Sequence, residues 1–333
     1  MPFHSPTIIV APMAGGPSTP ALVEAAARAG ALGFLAAGYK TPEAVAAEAE
    51  TLRASGAPYG VNVFVPLAAP ADPAPLEQYR ERLRPEADRY GVELPPLRLA
   101  DDDAFDAKVR LLVRAAPPYV SFAFGVPPRS AVDALRAAGS QVLVTVTTAA
   151  EARQALACAP DALIAQAASA GGHASTTSPA AHDPDTKAVD VLGAVSAEAE
   201  LPVVAAGGVG EAGDVRALLA AGAVAVQCGT AFLLADEAGT RPAHRAALIA
   251  GGRETVVTRA FTGHPARALR NRFTDTYADA PLGYPAVHHL TAAIRAAAAA
   301  RDDAEALNLW AGTGYAQARP GPVAEIVRRL NAG

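Results

Sequence analysis

The 333-residue chain is poor in the residues that build several common classes of protein. Only Cys158 and Cys228 are present, far apart and without metal-ligand spacing. That excludes a disulfide scaffold and gives no zinc site, and it fits a reducing cytoplasm. Lys and Arg form no cluster, and with a net charge of −5 there is no electrostatic footprint for nucleic acid. Apolar runs are short and broken by Gly, Pro or charge, so none approaches the roughly 20 residues of a membrane span. The start, MPFHSPTIIVAPM, lacks the basic and apolar regions of a signal peptide. Gly-x-x-x-x-Gly-Lys-Ser/Thr, His-Glu-x-x-His and Gly-x-Ser-x-Gly are all absent.

What is present is alternation. Apolar runs closed by small residues occur at Thr7–Met13, Ala31–Ala37, Tyr59–Val65, Tyr119–Gly125, Gln141–Val146, Asp161–Ala167, Pro202–Gly208 and Ala223–Gly229. Amphipathic helical segments separate most of them, with Ser18 or Thr19, Thr41, and Thr147 or Thr148 placed to cap helices. Eight buried parallel strands predict an α/β fold, a TIM (β/α)8 barrel. Its parts are 1–65 and 119–235. The interval 66–118, Pro-rich and then charged, reads as a helical insertion, either a lid or a solvated decoration. In 236–333 alternation stops; ETVVTRAFTGHPARALRNRF reads as a short β-like run and a basic helix, and the segment as a whole is expected to cover the barrel mouth.

Three strand outlets carry the candidate chemistry. Gly207 and Gly208 end the seventh strand and Gln227, Cys228, Gly229 and Thr230 end the eighth, where such barrels commonly hold phosphate on bare backbone amides. Cys228, with no nearby base motif, reads as a small residue lending its amide. His173 follows Gly171 and Gly172 at the sixth outlet, where an imidazole can project into the mouth, and is the candidate catalytic residue. His182, His288 and His289 read as structural. Asn62 and Gln166 place amides where apolar residues are expected; a ring with imide-like donors and acceptors, such as a flavin, or a loop backbone would satisfy them.

Taken together, APMAGGPSTPALVEAAARAGALGFLAAGY, GVNVFVP, FAFG, QAASAGGH, PVVAAGGVGEAGDVRALLAAGAVAVQCGTAFLLADE, TRAFTGHPARALRNRF, YPAVHHLT and LWAGTGY resemble the nitronate monooxygenases, formerly called 2-nitropropane dioxygenases, over nearly the whole chain. The resemblance implies a TIM barrel with non-covalent FMN that oxidises alkyl nitronates by O2 to a carbonyl compound and nitrite. It implies FMN contacts from Pro12, Met13, Asn62, Gln166, Gly171, Gly208 and the Gln227–Thr230 turn, with His173 as base or anion-holding donor. Its partners would be a nitronate and O2, with no nucleic acid or membrane, in a monomer or homodimer. The family's loop reads Glu-Ala-Gly-Gly-His-Arg-Gly, whereas this chain has Ser169, Ala174 and Ser175 in place of the Glu, Arg and final Gly. An alternative, drawn from related FMN barrels, is an NAD(P)H-dependent reductase of a quinone or enoyl thioester.

Overall fold

The computed structural model describes residues 5–69 and 72–332. The first four residues of the segment read above for a leader, Pro70 and Ala71 of the Pro-rich stretch, and Gly333 lie outside it. The expected strands form, most of them trimmed at one or both ends: β1 (Ile8–Val10), β2 (Leu32–Ala36), β3 (Tyr59–Phe64), β4 (Tyr119–Ala123), β5 (Gln141–Val146) and β6 (Ala162–Gln166). After a two-residue β7 (Gly172–His173), which belongs to another sheet, come β8 (Val203–Ala206) and β9 (Ala225–Cys228). All neighbours in the barrel run parallel, and β1 pairs with β9 to close it.

Strand alternation sorts the side chains into two cores. Ile9, Leu32, Phe34, Leu143, Ile164 and Val204 fill the interior. A side chain at Gly60 would lie 2.2 Å from the Phe34 ring, so the aromatic takes the space of two residues. The outward set, including Ile8, Val10, Val61 and Val144, packs under a ring of helices. That ring contains α1 (Pro20–Arg28) and α2 (Pro42–Ser55), capped by the Thr19 and Thr41 side chains. Between β3 and β4 lie α3 (Ala74–Arg82), α4 (Arg84–Tyr90) and α5 (Phe105–Ala115). The interval 66–118 thus holds two kinds of helix, because α5 packs on α2, β3 and α6 (Arg129–Ala137) as part of the ring. The ring continues with α7 (Ala149–Ala155), capped by Thr148, then α8 (Ala188–Ser196) and α9 (Ala212–Ala220).

Beyond α10 (Pro242–Ala250) the structure departs from the sequence reading. The short β-like run forms as β10 (Thr255–Thr258), but the stretch read as a basic helix begins instead as β11 (Ala266–Leu269), which pairs with β10 in an antiparallel hairpin to which β7 adds as a third strand. Gly263 at φ +73° and Pro265, which has no N–H to donate, turn the chain where a helix would have had to run. Then follow α11 (Arg272–Thr276), α12 (Ala286–Ala300) and α13 (Val323–Leu330). α13 returns to the barrel and packs between α1 and α9 in the eighth place of the ring. The rest of this region forms a core with α3 and α4, in which Leu76, Tyr79, Phe261, Phe273, Leu290 and Ile294 are buried together.

Candidate active site

The inward residues nearest the carboxyl ends of the strands form the floor of a cavity. Asn62, Thr145, Gln166, Ala206 and Gln227 lie in this layer. Pro12, Met13, Gly171, His173, Gly207, Gly208, Cys228, Gly229 and Thr230 line the same cavity, so the structure gathers every candidate catalytic and cofactor residue at one mouth. Ser18 steadies the first turn by accepting the Met13 N–H at 2.8 Å. From the C-terminal region come Arg241, His244, Asn308, Trp310, Gly312 and Gly314, none of which was a candidate site residue in the sequence. No described residue of 66–118 lines the cavity, although Asp103 accepts the N–H of Tyr39, which does.

The glycines have distinct tasks. Gly207 (φ +120°) and Gly208 (φ +72°) adopt backbone conformations that side chains rarely take. A Cβ on Gly171 would meet the Gly312 nitrogen at 2.5 Å, so the C-terminal segment crosses the His173 loop at backbone contact. Among the described residues, the amides of Gly208, Gly229 and Thr230 donate to no protein acceptor, while the Thr230 hydroxyl accepts from Gly312 N at 2.9 Å. These amides are a cradle for an anion. Cys228 is buried, and burial pushes its thiol up to about 12, which suits a turn residue and not a nucleophile.

The cavity wall also holds buried acceptors without donors: Gln227 Oε1, His244 Nε2 and Asn308 Oδ1 have no partner among the described residues. Arg241 forms no ion pair there either. The two amides foreseen as ring contacts differ in role. Asn62 donates to Ser121 Oγ at 2.9 Å, while Gln166 gives both ends of its amide to the His173 loop, donating to His173 O at 3.1 Å and accepting from Ser175 N at 2.6 Å. Gln166 thus bonds the loop backbone while also lining the cavity.

His173 is clasped on several sides. β7 pairs Gly172 and His173 with Arg267 and Ala266, its Nε2 lies 2.9 Å from Thr262 Oγ1, and its ring meets Phe124, Tyr284 and Trp310 at 5.5, 6.1 and 5.3 Å. Burial, then the charges of His264 and Arg295, push its pKa down to about 3, so the ring is neutral at physiological pH. Beside it, His288 stacks on the cavity residue Tyr39 at 4.2 Å and takes an Arg295 N–H at Nδ1, 3.3 Å away, but does not itself line the cavity. His289 instead faces Asp101 at 3.0 Å, and His182 stands outside the cavity.

The loop departures from the family pattern are absorbed locally. Ala174 exchanges backbone and side-chain contacts with Pro265 and His264, Ser175 Oγ accepts the Phe124 N–H at 3.0 Å, and Thr176 and Thr177 bind the buried Glu151. Ser169 Oγ, where the family has a carboxylate, is buried beside Gly208 without a partner among the described residues.

A family model described as nitronate monooxygenase matches residues 3–333. A nitronate monooxygenase of Pseudomonas aeruginosa is 40% identical, over 97% of this chain and 94% of that protein. One from Paraburkholderia phytofirmans is 36% identical, over 97% and 90%. Among solved structures, a nitroalkane oxidase from Streptomyces ansochromogenes superposes with a TM-score of 0.93 at 45% identity, covering 98% of this chain and 94% of its own.

Proposed function

This chain belongs to the nitronate monooxygenase family, and we propose that it oxidises alkyl nitronates, or their parent nitroalkanes, by O2 to a carbonyl compound and nitrite, with FMN held at the barrel mouth. The observation that carries the reading is one cavity with three complementary walls. Unpartnered amides at Gly208, Gly229 and Thr230 suit a phosphate. Unpartnered buried acceptors at Gln227, His244 and Asn308 suit the ring N–H and ribityl hydroxyls of a flavin, groups that a purely anionic ligand lacks. The third wall is the neutral imidazole of His173.

Bound FMN supplies the electron-accepting and O2 chemistry. The chain's own residues hold and orient. Asn62, Pro12, Met13 and the Gln227–Thr230 turn would contact the cofactor, with Gly171 and Gly207 letting backbone approach it. Gln166 would act chiefly through the loop it fastens. His173, neutral when the site rests, is able to accept the α-proton of a nitroalkane, and the anion formed beside it raises the ring's affinity for that proton. With a preformed nitronate no proton need be removed, and the ring's part is to position the anion.

The test is oxygen uptake by FMN-loaded protein with alkyl nitronates, neutral nitroalkanes and NADH offered separately. His173→Ala should keep FMN yet lower kcat/KM with a neutral nitroalkane by about 10²–10⁴-fold, the usual worth of a positioned base. An unchanged rate removes His173 from the mechanism. Bleaching of the flavin by NADH under anaerobic conditions, with no turnover of nitronates, would replace this reading with the reductase.

A further inference from the structure

We propose that Thr262 is a positioning residue that fixes His173 as its Nε2–H tautomer, which makes Nδ1 the basic nitrogen of the site. The inference rests on His173 acting on substrate, and it concerns a residue to which neither the family match nor the sequence motifs give a role.

Thr262 sits at the turn of the β10–β11 hairpin, is 1% exposed, and faces His173 Nε2 at 2.9 Å. Its hydroxyl has one proton and two neighbours able to take it. One is His173 Nε2; the other is the carbonyl of His264, 3.4 Å away, long for such a bond but in reach. Among the described residues that carbonyl accepts no other hydrogen bond. If Thr262 donates to His173, a buried carbonyl is left bare; if it donates to His264, it accepts Nε2–H from His173, and the hydroxyl, the carbonyl and Nε2 are all satisfied. Hydrogen-bond accounting therefore selects the second arrangement. The Nδ1 atom then keeps its lone pair, has no protein partner among the described residues, and belongs to a ring that lines the cavity.

The partner histidine supports the same geometry. His264 Nε2 lies 2.9 Å from Ala174 O, and since a carbonyl only accepts, the proton is on His264 Nε2. Together with the Ala174 N–H to Pro265 O bond and the pairing of His173 with Ala266, this sews the hairpin to the residues on either side of the imidazole. Backbone and ring are thus both fixed before substrate arrives.

The step this serves is simple in its balance. The α-C–H bond of a neutral nitroalkane breaks, its proton forms an N–H bond at Nδ1, and the electron pair passes into the nitro group to give the nitronate. The opposite tautomer would present an N–H to the cavity and could only hold an anion. The titratable groups facing the ring are His264 from the hairpin, Tyr284 before α12, and His288 and Arg295 on α12.

The tautomer can be read directly from the 15N shifts of the His173 ring in histidine-labelled, FMN-loaded protein, assigned against His173→Ala. We expect the proton on Nε2. Thr262→Val should lose that signature and slow neutral nitroalkanes by roughly 10²-fold, the low end of a positioned base's contribution, while preformed nitronates change little; Thr262→Ser should restore both. A wild-type proton on Nδ1, or undiminished turnover of neutral nitroalkanes by Thr262→Val, overturns the proposal. Should the valine variant not fold, the wild-type and Thr262→Ser spectra still decide. Failure of the underlying reading looks different, because His173→Ala would then leave both substrate classes untouched.

Discussion

Replacing Glu151 with Gln should destabilise the protein at neutral pH without touching the cavity wall. Glu151 is 4% exposed and has no ion-pair partner among the described residues. Its Oε2 accepts the N–H and hydroxyl of Thr147 at the end of β5, both at 2.7 Å. Its Oε1 accepts the Thr176 hydroxyl and the Thr177 N–H, each at 2.7 Å, and the Thr177 hydroxyl at 3.1 Å. One carboxylate therefore ties the His173 loop to the barrel. Hydroxyls can rotate to accept from a glutamine NH2, but backbone N–H groups cannot. Whichever way the amide turns, either Thr147 N or Thr177 N is stranded, at a cost of about 1–3 kcal/mol, and the remaining bonds lose their charge assistance. A total of about 2–4 kcal/mol lowers the melting temperature by on the order of 5 °C in a chain of this size. The pH dependence checks the assignment. Burial alone would raise the Glu151 pKa, but the hydrogen bonds from Thr147, Thr176 and Thr177 outweigh it and hold the carboxyl below its ordinary 4.5. A depressed carboxyl contributes stability that is complete above the unfolded value and is lost as pH falls through the folded one. The gap between wild type and Glu151→Gln should therefore be full at pH 7 and narrow below about 4.5. Calorimetric melts across that range measure it, and equal melting temperatures at pH 7, or a gap that persists in acid, refute the reasoning.

Gly171→Ala should raise the dissociation constant for FMN more than tenfold in a fluorescence titration, since the new Cβ would lie 2.5 Å from the Gly312 nitrogen and must push the two backbones apart; unaltered affinity would mean that the crossing does not shape the cofactor site. Cys228, with its thiol pushed up to about 12 by burial, should resist iodoacetamide at pH 8 in the native protein and react once it is denatured. Rapid native labelling would contradict the buried turn.

The barrel was readable in the sequence because each strand is a short apolar run whose ends carry their own stop signals. Tyr59–Phe64 and Gln141–Val146 could be placed to within a residue on that basis. The sites at strand ends followed, since Gly207, Gly208 and Gly229 are informative wherever backbone must be bare. What stayed hidden depends on contacts distant in sequence. β7 is two residues long and has no pattern of its own; it becomes a strand only by pairing with Ala266 and Arg267. His244 and Asn308 look like ordinary helix and loop residues until the fold turns their unpartnered atoms to the cavity. One local signal was available for the hairpin: Thr-Gly-His-Pro after the β-branched run Thr255–Thr258 is turn chemistry, while the helix-favouring Ala-Arg-Ala-Leu that follows drew the reading towards a helix.

The charges around His173 bear on the proposed substrate. The family's loop carboxylate and guanidinium are absent, and the carboxylate nearest the loop, Glu151, is saturated by hydrogen bonds. No carboxylate acts on His173; the charges that do come from His264 and Arg295. Arg295 is buried, bonded to His288 and Thr291 with no ion pair among the described residues, and although burial lowers its pKa to about 10 it remains a cation at neutral pH. A guanidinium left without a counter-charge favours an anion in the adjacent cavity more than any neutral ligand. The same positive surroundings keep His173 unprotonated in the resting site, and in the proposed reaction they would favour a nitronate over its neutral parent, so a protonated His173 would depend on the nitronate formed beside it to offset Arg295.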